Sequence, residues 1–190
     1  MAREMELKFR LEEEQYRRIL EDHPGFSPIA METVYYDTPD QRLSAANRTF
    51  RRRLENGQPV YTLKTPLPDG SRGEWELIAD SLEEALPELC LQSGDPILST
   101  LEKDALVPLC GARFTRLAAA LAFPGGVAEL ALDKGILLGG GKEIPLLEAE
   151  LELKSGSDEA LLEYGKAFRL RYRLQPEQRS KFARARALAQ

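Results

Sequence analysis

The stretch Glu4-Met5-Glu6-Leu7-Lys8 constrains this chain more than any other. Charged side chains take every second position and apolar ones fill the gaps, which is the period of a β-strand. Over residues 3–10, Glu4, Glu6, Lys8 and Arg10 share one face, while Met5, Leu7 and Phe9 share the other. Charged rows of this kind recur along the chain. Arg51 with Arg53, then Lys64, then Arg72 with Glu74 and Glu76 form the next ones. Arg116, Glu129 with Asp133, and Glu148, Glu150, Glu152 and Lys154 follow. The last row repeats the E-x-E-x-K spacing of the first.

These rows sit in a chain of strands and a few helices. Besides residues 3–10, alternation predicts strands over 31–37, 47–55, 60–65, 72–78, 112–122, 127–133 and 146–154, with a short one near 171–174. Asn56-Gly57 between two strand-like runs is a hairpin signal. Residues 112–122 are rich in alanine, but Phe114, Arg116 and Ala118 alternate and Pro124-Gly125-Gly126 leads into another strand. Helices are expected over 12–22, 81–92, 95–106 and about 158–169, with Ser81 and Ser157 as caps. Short hairpin connections mean antiparallel pairing. The expected class is α+β, with an antiparallel sheet that curls on itself.

The charged rows have two readings. One is a solvated outer sheet face. The other is an enclosed cavity, and the recurrence across strands favours it. Carboxylates at i and i+2 repel one another, so a solvated face gains nothing from three in a row. A hard divalent cation does gain from them, because Mg²⁺ and Mn²⁺ take carboxylate oxygens. Facing arginines and lysines would clamp phosphate oxygens. The apolar faces, with Met5, Leu7, Phe9, Trp75, Leu77, Leu151 and Leu153, would then pack outward against helices.

Composition narrows the field further. The 26 Lys+Arg against 31 Asp+Glu argue against a nucleic-acid partner held on a broad basic surface. Cys90 and Cys110 have no CxxC spacing and no neighbouring histidine, so they read as reduced thiols of a cytoplasmic protein. The N-terminus has no apolar signal-peptide core, and no apolar run is long enough for a membrane span. His23, the one histidine, stands beside a Pro-Gly break and reads as a surface residue.

In order, E-x-E-x-K at 4–8, Tyr35-Tyr36-Asp37-Thr38-Pro39, Phe50-Arg51-Arg52-Arg53, Thr62-Leu63-Lys64 and Arg72-x-Glu74-x-Glu76 resemble the CYTH superfamily, the triphosphate tunnel metalloenzymes. Phe114-Thr115-Arg116, the segment from Glu129 to Gly135, Glu148-x-Glu150-x-Glu152 and Ser180-Lys181 continue the likeness to about residue 184. Within that superfamily the YYDTP, LDKG and EAELELKSG segments resemble those of bacterial inorganic triphosphatases. The resemblance implies one domain over 1–190, a closed eight-stranded antiparallel β-barrel with helices outside. It implies metal-dependent hydrolysis of tripolyphosphate to pyrophosphate and phosphate, with nucleoside triphosphates as further substrates. Adenylate cyclase, thiamine-triphosphatase and a polyphosphate-binding module are the alternatives.

On the same resemblance, Lys8, Arg51, Arg53, Lys64 and Arg116 hold the phosphates, joined by Arg72 and Lys181. Glu4, Glu6, Glu150 and Glu152 take one or two Mg²⁺ or Mn²⁺ ions, with Asp133 and Glu148 assisting. Lys8, Glu6 and Arg53 stand at the reacting centre. Glu74 and Glu76 have a plainer reading, as partners of Arg72 and Arg53 that hold the sheet. Arg52 has the wrong parity and should face outward. A homodimer occurs in the family, and in some members a CHAD domain follows near the point where this chain stops.

Overall fold

The computed structural model describes residues 5–67, 72–101 and 106–189. Nine antiparallel strands form one sheet: β1 (Glu6–Arg10), β2 (Ser27–Asp37), β3 (Thr49–Glu55), β4 (Gln58–Pro66), β5 (Arg72–Ile78), β6 (Val107–Phe123), β7 (Gly126–Gly139), β8 (Lys142–Gly156) and β9 (Gln175–Pro176). Their spatial order is β5-β4-β3-β2-β6-β7-β8-β1-β9. The helices are α1 (Glu13–Asp22), α2 (Arg42–Ala45), α3 (Leu82–Ser93), α4 (Asp158–Tyr172) and α5 (Lys181–Leu188).

The expected closed barrel of eight strands is corrected on two counts. There is a ninth strand, and among the described residues β5 pairs with β4 alone, so the sheet does not close. The cause lies on β1. Its outer edge is taken by β9, through Phe9↔Pro176 and Arg10↔Gln175, and the Glu177 N–H donates to the Lys8 carbonyl at 2.9 Å. Where that edge is already hydrogen-bonded, at Lys8–Arg10, it cannot also receive β5. The sheet nevertheless curls, because Glu6 and Lys8 of β1 and Glu74 and Glu76 of β5 line the same cavity.

Alternation sends the apolar faces outward, and helices cover them. Met5, Leu7 and Phe9 join Leu151 and Leu153 against Ile19 of α1 and Leu161 and Phe168 of α4. On the other wing Phe50, Tyr61, Leu63, Trp75 and Leu77 pack against Ala85, Leu86 and Leu89 of α3. Each fully buried leucine contributes about 1.5–3 kcal/mol, so the outer layers hold the curled sheet. Ser81 and Ser157 accept N–H groups from Glu84 and Ala160 as capping residues. Asn56 and Gly57 both have positive φ, 49° and 88°, as a tight two-residue hairpin requires.

Three local expectations change. Helix 95–106 reduces to a 3₁₀ turn, Leu98–Thr100, because Asp95 Oδ1 accepts from the Ile97 and Leu98 amides and fixes a turn there; residues 102–105 lie outside the described residues. The short strand at 171–174 is replaced by the end of α4, with Arg173 left-handed at φ 55°, and pairing resumes at β9. A fifth helix, α5, was not expected at all. The alanine-rich stretch is a strand as read, held by pairing with β2 on one side and β7 on the other.

Candidate active site

The concave face of the sheet encloses a cavity of about 930 Å³, lined by the charged rows. One wall is basic. Arg51 and Arg53 of β3, Lys64 of β4 and Arg116 of β6 all point into it, with side chains 13–22% exposed. Crowding is evident at Arg53: burial, then the neighbouring Arg51, hold its guanidinium pKa below the ordinary value. Glu74 and Glu76 on β5 face this wall at a distance. Lys64 lies 3.2 Å from Glu74, Arg51 lies 3.6 Å from Glu74 and 3.7 Å from Glu76, and Arg53 lies 3.7 Å from Glu76. Arg72 sits exposed at the rim, donating to the Asn47 carbonyl at 3.3 Å.

The facing wall is acidic. Register aligns Glu6 of β1 with Glu152 of β8, and Glu152 with Glu129 of β7, so three carboxylates line up across adjacent strands on one face. Lys8 bonds Glu6 at 2.7 Å, and Lys154 bonds Glu152 at 2.8 Å. Glu129 lines the cavity although it was not among the predicted site residues. Its parity with Asp133 on β7 was the available signal. Glu4 lies outside the described residues.

A third group comes from the C-terminal helix. Helix α5 lies on the concave side, with Phe182 against Tyr35 at a ring distance of 5.0 Å and Ala185 and Leu188 among Met31, Phe114 and Leu137. The β7–β8 turn makes room for it. A Cβ on Gly139 would stand 2.2 Å from the Ala185 carbonyl oxygen, and Gly140, at φ 57°, would meet the Ala189 Cα at 2.7 Å. The first residue of α5 is Lys181. Its ammonium lies 2.7 Å from Asp133 and 2.8 Å from Glu150, and it also contacts Glu148. Arg116 forks onto Asp133 at 2.7 and 2.8 Å and reaches Glu150 at 2.5 Å, while Arg184 pairs with Glu148.

Burial alone would raise the Glu150 pKa and lower that of Lys181. The pair reverses both: Lys181 and Arg116 hold Glu150 well below the usual carboxylate range, and Glu150, Asp133 and Glu148 push Lys181 upward. Glu148, with burial dominant, is pushed up. Among the described residues, Asp133, Glu148 and Glu150 are the group whose carboxylate oxygens converge within 4.8 Å, as a cation site requires.

The cavity thus gathers Glu6, Lys8, Arg51, Arg53, Lys64, Arg72, Arg116, Glu150, Glu152 and Lys181. Asp133 and Glu148 lie behind Lys181 with no exposure. Arg52 turns to the other face, opposite Tyr61. Asp37 of the YYDTP segment is structural: its carboxylate accepts the Thr38, Leu43 and Ser44 amides and the Ser44 hydroxyl, fixing the turn into α2. His23 bonds the Tyr172 hydroxyl at 3.1 Å, between α1 and α4 and away from the cavity. Cys90 and Cys110 are free thiols, and burial pushes Cys110 up to about 12. Among the described residues no helix is long and apolar enough to cross a membrane.

Comparison with known proteins agrees with this geometry. The CYTH domain family matches residues 2–185. An inorganic triphosphatase of Haemophilus influenzae is 29% identical over 133 residues, which are 69% of this chain and 38% of that protein. The chain therefore aligns with well under half the length of this relative. Among solved structures, HpAC1 of Hippeastrum, named as an adenylyl cyclase and described as having a dominant triphosphatase activity, superposes with a TM-score of 0.70 at 20% identity, covering 98% of this chain and 97% of the other. The PH1819 protein of Pyrococcus horikoshii gives 0.62 at 19% identity, covering 95% and 96%. At these identities the structures show a shared fold.

Proposed function

The chain belongs to the CYTH domain family, and from that premise we propose that it is a metal-dependent hydrolase of inorganic triphosphate. The observation that carries this reading is the basic wall. Arg51, Arg53 and Lys64 are crowded, mostly buried cations; Arg53 pairs with Glu55 on its own strand, and the β5 carboxylates Glu74 and Glu76 stand 3.2–3.7 Å from the three. Such a wall is matched by a compact anion of several charges, and fork-shaped guanidinium groups suit phosphate oxygens.

The acidic wall supports the metal requirement. Glu6 and Glu152, with Glu129 beside them, are carboxylates in one row lining the same cavity as the arginines, oxygen donors that a bound hard cation would draw together. When bound there, Mg²⁺ or Mn²⁺ would neutralise phosphate oxygens and lower the pKa of an attacking water. Lys8, at the boundary of the two walls, would hold the terminal phosphate, and Arg51, Arg53 and Lys64 the remaining two. Water then attacks the terminal phosphorus in line as the P–O–P bridge breaks. The bridging oxygen leaves with pyrophosphate, orthophosphate is the other product, and the proton of water passes to solvent. No side-chain nucleophile takes part.

The test is incubation of the purified protein with tripolyphosphate, ATP or thiamine triphosphate, with and without Mg²⁺ or Mn²⁺. Phosphate and pyrophosphate should appear from tripolyphosphate only when the divalent ion is present. Cyclic AMP formed from ATP would overturn the hydrolase reading. Tight tripolyphosphate binding without phosphate release would turn the protein into a binding module. Glu6→Ala should remain folded and lose the metal-dependent turnover.

A further inference from the structure

The converging carboxylates of Asp133, Glu148 and Glu150 have the outward form of a metal site, but a cation already occupies it. Lys181 Nζ stands in contact with all three, 2.7 Å from Asp133 and 2.8 Å from Glu150. The ammonium donates to Glu150 and forms ion pairs with Asp133 and Glu148. A divalent ion would need the same oxygens at about 2.0–2.6 Å, which leaves no space for the nitrogen between them. Charge leads to the same result. The three carboxylates face three cations in direct contact, Lys181, Arg116 and Arg184, so the group is balanced without a metal. The row of Glu6, Glu129 and Glu152 differs. Its recorded cations are Lys8 and Lys154, and Lys154 is 45% exposed.

We propose that Lys181 is a built-in cation that stands in the place of a metal ion among Asp133, Glu148 and Glu150, fastening α5 on the concave side and leaving divalent ions to the Glu6–Glu152 row. The fastening is the reason a helix of eight residues stays on the concave face. Its N-terminal side chain is held by the three carboxylates, and its C-terminal half rests on the glycine turn at Gly139 and Gly140. Within the proposed hydrolase, the ion that acts on phosphate is held by the Glu6–Glu152 row. The assignment concerns which carboxylates hold a divalent ion in the resting protein, and it stands or falls separately from the hydrolase reading.

The experiment is a calorimetric titration of the full chain with MnCl₂ in the absence of any phosphate compound, so that turnover plays no part. Lys181→Ala should bind one Mn²⁺ more per chain than the wild type. Its melting temperature, lowered without metal, should rise on adding Mn²⁺ by more than the wild-type protein's does. The double variant Lys181→Ala/Glu148→Gln should lose the added equivalent. Equal stoichiometry in wild type and Lys181→Ala overturns the proposal, as does an added equivalent that survives Glu148→Gln. Should Lys181→Ala fail to fold, Glu148→Gln with Lys181 intact decides the matter. Unchanged Mn²⁺ stoichiometry supports the built-in cation, and loss of one equivalent refutes it.

Discussion

Replacing Arg53 with methionine should separate two quantities that fall together in most site variants, turnover and stability. The side chain of Arg53 is 17% exposed, and its pKa is held down by burial and by Arg51. The folded, unliganded cavity therefore disfavours this charge. Methionine keeps an unbranched stem of similar reach and removes the charge. Glu55 and Glu76, the carboxylates left behind, are 33% and 46% exposed and can return to water. The net effect on folding should be about 1 kcal/mol or less in either direction, roughly 2–4 °C in melting temperature for a chain of this size. A bound triphosphate, in contrast, loses a charge-assisted contact worth about 1.5–3 kcal/mol. At about 1.36 kcal/mol per factor of ten, kcat/KM should fall about 10- to 150-fold. Initial rates of phosphate release from tripolyphosphate at saturating Mn²⁺, beside a thermal melt without substrate, provide both numbers. A kcat/KM within threefold of wild type would remove Arg53 from the phosphate site. A melting temperature lowered by more than about 4 °C would show that the charge stabilises the fold, contrary to the electrostatic argument.

Two further perturbations probe how the cavity is held. Gly139→Ala places a Cβ 2.2 Å from the Ala185 carbonyl, so α5 must lift; overpacking of about 1–3 kcal/mol should lower the melting temperature and raise proteolysis within the last ten or so residues. An unchanged melt would mean that α5 does not rest there. Glu177 is buried yet held down at about 2, because Arg10 and Arg179 outweigh burial. A depressed carboxylate contributes stability that is complete above its unfolded pKa and is lost as pH falls towards the folded one. The wild-type melting temperature should therefore drop between about pH 5 and pH 2 more steeply than that of Glu177→Gln, and parallel curves would refute the pairing.

Much of this arrangement was legible because a strand has a period of two. Parity alone assigned Glu6, Lys8, Arg51, Arg53, Lys64 and Arg116 to one face and sent Arg52 to the other, and Asn56-Gly57 marked the hairpin that aligns β3 with β4. Periodicity is silent on whether two edges meet. That depends on a two-residue pairing at Gln175–Pro176, too short to show any alternation. It is equally silent on the partners of a charge. Lys181 is read from the sequence as a phosphate ligand, and no spacing shows its carboxylate partners, which lie 31 to 48 positions away and are brought near only by the curl of β7 and β8 under α5. Glu76 stands 3.7 Å from Arg53 as expected, whereas Glu74 meets Lys64 in place of Arg72, because register places Glu74 opposite Lys64 and Glu76 opposite Thr62.

The two classes of ion pair in this cavity imply different fates for its cations when an anion arrives. Around Lys181 and Arg116 the N···O separations are contact distances, and Asp133 and Glu148 have no exposure. On the β5 side the separations are 3.2–3.7 Å; Glu74 is 14% exposed and Glu76 46%, and Glu55, the contact partner of Arg53, is 33% exposed. A fully buried contact pair resists exchange, because freeing the carboxylate leaves it uncompensated; a longer pair, or one whose carboxylate can turn to water, exchanges more readily. The incoming phosphates should therefore draw on Arg51, Arg53 and Lys64, with Arg116 retained by Asp133 and Glu150. Arg116→Met should then behave oppositely to Arg53→Met. Breaking one partner from a buried pair costs about 3–5 kcal/mol, so the melting temperature should fall by roughly 6–20 °C. The residual folded enzyme, assayed at low temperature, should keep a KM for tripolyphosphate close to wild type. A KM raised tenfold or more with an unchanged melt would place Arg116 on the phosphates and its carboxylates among the groups that let go.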